Sequence, residues 1–206
     1  MIETYEVLAR AGEHLLHPVL DGAAPKQWSH YPDDDAIDDA HGYQWFYHSH
    51  SPEDRAGAVE HGHIHLFARR QLWAGRLRSH AEREFAAMTG RPRQRARTRH
   101  LLGISLDSKG VPIGLFTVNS WVTGDLMLNA PATERLLEQM QLDTGYPRID
   151  AVLESVMTLC GAEIGELLAA RDAALRTRTP AAVLDDHELE VLSEIPIDLD
   201  RKLANA

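Results

Sequence analysis

Five histidines fall in two short runs of alternating residues, His48 and His50 in GYQWFYHSH, then His61, His63 and His65 in EHGHIHLF. Successive side chains of a strand point to opposite faces, so His48 and His50 share one face of the first run and His61, His63 and His65 share one face of the second. A hairpin through Ser51 to Glu60 that sets His50 opposite His61 and His48 opposite His63 brings facing Cβ atoms to roughly 4.5–5.5 Å, near enough for the rings to converge on one ion. The chemistry implied is metal binding by neutral imidazole. The expected ligands are three or four of His48, His50, His61, His63 and His65.

Histidine-rich ligation without thiolates suits a divalent transition metal, zinc or iron first and copper or nickel next. Three protein ligands and an open position would activate water or dioxygen for a small-molecule substrate. Glu60 is the adjacent candidate for an acid or base, although strand parity turns it away from the imidazoles. The acidic stretch Asp33, Asp34 and Asp35 could supply a carboxylate ligand. A closed shell without a cleft would instead mark a carrier, store or sensor.

The other face of the same hairpin carries Tyr43, Trp45, Tyr47 and Ser49, then Gly62, Ile64, Leu66 and Ala68, and reads as the core side. Phe46 and Phe67 flank the histidines and would keep them dry and neutral. A second hairpin follows in HLLGISLDSKGVPIGLFTV, with Asp107 to Gly110 as its turn. Its polar candidates are His100, Thr117 and Asn119.

Helical spacing marks residues 3–20, the stretch from Leu72 to Met88, a short helix carrying Leu136, Leu137 and Met140, and one long helix from about Arg148 to Arg176. Residues 23–41, with Pro25, Pro32 and the acidic stretch, read as an ordered loop. Residues 184–204 read as a helical C-terminal cap. The expected fold is a single α+β domain over residues 1–206, with about four mainly antiparallel strands from two hairpins and helices packed on one face.

Two motifs resemble known families. His61-Gly-His63-Ile-His65-Leu-Phe67 resembles the histidine-triad signature of nucleotide hydrolases and transferases, which implies His63 as a nucleophile toward phosphate. Gly42, five residues, His48-Ser-His50 and then Glu53 or Asp54 are similar to the first half of the cupin metal motif. Its second half would place a histidine where Thr117 follows Pro112-Ile-Gly114. A jelly roll also needs about eight strands.

Composition narrows the function. The 206 residues include 44% hydrophobic residues, enough for a sizeable core, and carry a net charge of −10, which argues against general nucleic-acid binding. Ten arginines between Arg69 and Arg99 form a local exception suited to an anion or an acidic partner. Cys160 is the only cysteine, which fits a reducing compartment. No run of about 18 apolar residues is present, and the amino terminus lacks a signal-peptide pattern. The expectation is a cytoplasmic protein without membrane association, its oligomeric state open.

Overall fold

The structure, a computed structural model, describes residues 1–22, 24–50, 59–74, 80–90, 97–177 and 183–204. The chain runs α1 (Ile2–Ala11), α2 (His17–Leu20), β1 (Tyr31–Ile37), β2 (Tyr43–Ser49), β3 (Gly62–Arg69), α3 (Arg70–Ala74), α4 (His80–Thr89), β4 (Thr98–Leu106) and β5 (Pro112–Val118). It continues through α5 (Ser120–Thr123), α6 (Ala130–Glu138), α7 (Pro147–Leu159), α8 (Gly161–Arg176), a 3-10 turn (Val183–Asp185), β6 (Val191–Pro196) and α9 (Leu199–Leu203). Among the described residues the strands form one six-stranded antiparallel sheet in the order β1-β2-β3-β4-β5-β6. The class is α+β as expected, but the sheet has six strands and not about four.

Both additional strands lie at sheet edges. β1 takes the acidic stretch, pairing Tyr31 with Tyr47 and Ala36 with Trp45, with an irregularity between these pairs where Asp35 has φ 56°. An edge strand needs only one ladder and tolerates Pro32 and exposed Asp33 and Asp34, features that read as a loop in sequence. β6 pairs Leu115 with Ile195 and ends at Pro196, so the expected helical cap over 184–204 is a strand followed by a one-turn helix. Alternating charges suit an exposed edge as well as a helix surface. Asp198 caps that helix by accepting from the Arg201 backbone N–H.

The second hairpin closes at Asp107, whose Oδ1 accepts from the backbone N–H groups of Lys109 and Val111, both at 2.8 Å. The expected helix from Arg148 to Arg176 is two helices, broken at Cys160 with φ −108° and ψ 21° before Gly161. The apolar stripe continues across the break, so periodicity alone does not reveal it.

The main apolar cluster contains Tyr43, Trp45, Tyr47, Ile64, Leu66 and Ala68 from β2 and β3, together with Leu136, Val152, Val156, Ile164 and Leu168 from α6, α7 and α8. Two buried donors fasten β2 to the helices. The Tyr43 hydroxyl donates to the Leu136 carbonyl at 2.7 Å, and Trp45 Nε1 donates to Asp150 Oδ1 at 3.2 Å. One strand side chain in two is thereby committed to the core, which leaves the alternate row of β2 and β3 for other chemistry.

Candidate metal centre

That alternate row carries the histidines. β2 and β3 pair with His48 opposite His63, and the His50 backbone N–H donates to the His61 carbonyl at 3.3 Å. His48 Nε2 lies 2.5 Å from His63 Nε2, and His50 Nε2 lies 3.3 Å from His63 Nδ1. Taking one nitrogen from each, His48, His50 and His63 have donor atoms within 4.8 Å of one another. These three side chains together could hold a metal ion. Two imidazole nitrogens at 2.5 Å are closer than an ordinary N–H hydrogen bond. An ion with metal–nitrogen bonds of about 2.0–2.1 Å would open that contact to roughly 3 Å, within the reach of small ring rotations.

Glu60 joins the centre. Its Oε1 lies 2.7 Å from His63 Nδ1, and its Oε2 accepts from the Ser105 hydroxyl at 2.8 Å. A carboxylate at Nδ1 holds the ring hydrogen there and leaves the Nε2 lone pair facing His48, the arrangement that orients a metal-binding histidine. Strand parity by itself turns Glu60 away from the imidazoles, but β3 begins at Gly62, so alternation does not govern residue 60.

His61 lies outside the row for the same reason. It is exposed, and its Nδ1 is 3.3 Å from the Tyr47 hydroxyl, a residue of the apolar cluster. A Cβ at Gly62 would stand 2.5 Å from both the Tyr47 hydroxyl and the His48 carbonyl oxygen. Only glycine lets Tyr47 pass there toward His61.

His65 is 1% exposed and shares the face, with ring centroids 4.7 Å from His63 and 5.3 Å from His48. Its Nδ1 is 3.0 Å from Nε2 of buried His100. Asn119 goes elsewhere, capping α5 and donating to the Val183 and Leu189 carbonyls. Thr117 bonds to the Ser193 hydroxyl at 2.7 Å.

Apolar walls surround the imidazoles. Phe116 meets His63 edge-on at 4.8 Å between ring centroids, and its ring occupies the space where Gly103 lacks a Cβ. Trp28, 63% exposed and at φ 63°, stands edge-on to His48 and His50 at 6.0 and 5.5 Å. His30 stacks on Phe46 at 3.7 Å and pairs through Nδ1 with Asp35 Oδ1 at 3.0 Å. Asp35 therefore supports His30, and Asp33 and Asp34 are exposed.

Burial dominates the electrostatics. It lowers His48 from 6.5 to about 3, aided by the neighbouring His63 and His50. Burial likewise holds His65 well below its ordinary value, and burial followed by the Arg171 charge brings His100 to about 3. These rings are neutral near pH 7, the protonation state that binds metal. Cys160 is no competing ligand, since burial pushes its thiol up to about 11 within the apolar cluster.

Clefts open on two sides. One of about 320 Å³ is lined by Trp28, His30, Asp35, His48, His65 and Asp125, among others. A second, of about 480 Å³, reaches Glu60, Ser105 and Phe116. Sequence reasoning missed Trp28, His30, Ser105 and Phe116. Only the Ser105 position was open to inference, since it faces His63 across the β3–β4 ladder. Glu53, Asp54 and the arginines at 76, 78, 91, 93 and 95 lie outside the described residues.

The chain belongs to the family defined as Domain of unknown function (DUF6969), whose model matches residues 1–197. No curated protein and no solved structure was found to match it. Among the described residues no helix is long and apolar enough to cross a membrane.

Proposed function

We propose that the protein binds a divalent transition metal through His48, His50 and His63, and that it is a metal-dependent enzyme which activates water or dioxygen at the open side of that ion. The observation that carries this reading is the approach of three imidazoles to within 4.8 Å on one sheet face, with Glu60 anchoring His63. Three histidine ligands and a vacant fourth position suit catalytic zinc, and iron is the next candidate. The cleft beside His48 and His65 favours a catalyst of small-molecule chemistry over a carrier or store, which needs no substrate access. In this account His63 is a ligand and not a nucleophile, and Glu60 positions it.

Residues 1–206 serve in this proposal as one cytoplasmic domain, in keeping with a family match over residues 1–197. Residues of α6, α7 and α8 join the apolar row of β2 and β3, and the histidine row lies on the other face. Elemental analysis of protein expressed without an affinity tag tests the proposal. About one equivalent of metal is expected, lost when His48 and His63 are both changed to alanine. A folded protein that stays metal-free after supplementation with zinc and iron would overturn it.

A further inference from the structure

Behind the histidine row, buried polar groups run from α8 through β4 to β3. Arg171 is fully buried; its Nε and Nη2 donate to Asp172 Oδ1 at 3.0 and 2.8 Å, and Nη2 also donates to the Leu128 carbonyl at 2.7 Å. Its Nη1 has no partner among the described residues. The segment ending at Leu128 also meets β4, because the His100 backbone N–H donates to the Leu126 carbonyl and His100 bridges to Met127. His100, 1% exposed, turns Nε2 toward His65 Nδ1 and leaves its own Nδ1 without a partner among the described residues.

The two orphan atoms complement each other in only one arrangement. A guanidinium only donates, whereas a neutral imidazole has one N–H and one lone pair. With its hydrogen on Nδ1, His100 would add a second buried donor without an acceptor, within the field of the Arg171 guanidinium. With the lone pair on Nδ1 it turns an acceptor, and not a further N–H, into the field of that charge. The hydrogen then sits on His100 Nε2 and is donated to His65 Nδ1. A neutral His65 that accepts at Nδ1 must carry its own hydrogen on Nε2.

We propose that Arg171 and His100 fix the ring hydrogen of His65 on Nε2, making His65 a hydrogen-bond donor to an oxygen atom bound at the metal's open position, and not a fourth ligand. The inference rests on the reading of His48, His50 and His63 as ligands. It assigns the centre a preference for a hydroxide, dioxygen-derived or carbonyl oxygen that can accept from His65. Arg171 and His100 are positioning residues, since they act only through His65.

Long-range proton–nitrogen correlation spectra of the zinc-loaded full chain, labelled with nitrogen-15 at histidine, read which ring nitrogen carries hydrogen. The expected result is hydrogen on Nε2 of both His65 and His100, with bound zinc retained at its wild-type stoichiometry in His65→Ala. Arg171→Met should move the His100 hydrogen toward Nδ1, with His65 following; if that variant fails to fold, the wild-type spectrum decides. Hydrogen on His65 Nδ1, or loss of zinc from His65→Ala as complete as from His63→Ala, would overturn the proposal. Failure of every form to bind zinc would count against the three-ligand reading instead, and the spectrum of the metal-free chain would then decide the ring-hydrogen assignment by itself.

Discussion

Glu60 Oε1 and His63 Nδ1 are 2.7 Å apart, although Glu60 lies outside the strand that carries His63. Ser105, from the neighbouring β4, fixes the other carboxylate oxygen at 2.8 Å. The Glu60 side chain is thus tied at both ends, and the ring it orients is the one closest to both other candidate ligands.

Glu60→Gln keeps an acceptor in place but removes the carboxylate charge from His63 Nδ1. Metal affinity is expected to fall by about 10–100-fold while the fold is retained. A chelator competition titration beside a thermal melt checks this. Unchanged affinity would mean that Glu60 does not orient a ligand.

Membership of the centre separates two histidines that look equivalent in sequence. His48→Ala removes a nitrogen 2.5 Å from His63 and should abolish stoichiometric metal binding. His61→Ala should leave it intact, because His61 faces the Tyr47 hydroxyl. Equal losses in both variants would show that the row is wider than the geometry implies.

The buried imidazoles make stability fall in acid. His48 and His100 each titrate at about 3 in the folded chain against 6.5 as the ordinary value. Above about pH 6.5 both folded and unfolded forms hold these rings neutral; below it the unfolded chain takes up protons that the folded chain refuses. Stability is therefore present above that pH and lost progressively toward pH 3. Denaturant midpoints measured on metal-free protein should fall steadily from about pH 7 to about pH 4, whereas a flat profile would contradict buried neutral rings.

Gly103→Ala would place a methyl group inside the Phe116 ring, which itself packs on His63 and His65. Overpacking of this kind costs about 1–3 kcal/mol. Displacement of Phe116 toward the imidazoles should weaken metal binding as well. Denaturation and metal titration of the same variant check both effects.

The pairing of His48 with His63 was legible because alternation holds inside regular strands. Glu60 and His61 were assigned to the wrong sides because that rule was carried past the start of β3 at Gly62, where the backbone no longer follows it. The edge strands β1 and β6 escaped notice because proline and charge, tolerated at an edge, read as loop and helix. Trp28 and His30 reach the centre only through tertiary packing on His48, His50 and Phe46, for which no spacing rule exists. His65 and His100 lie 35 residues apart, and their contact depends on how β4 pairs with β3.

Anomalous diffraction from crystals of untagged, metal-loaded protein, collected at the absorption edge of the metal found by elemental analysis, tests the central claim most directly. A single strong peak about 2.0–2.2 Å from one nitrogen each of His48, His50 and His63 is the predicted result. A peak at other side chains, or none between these three rings, would contradict it.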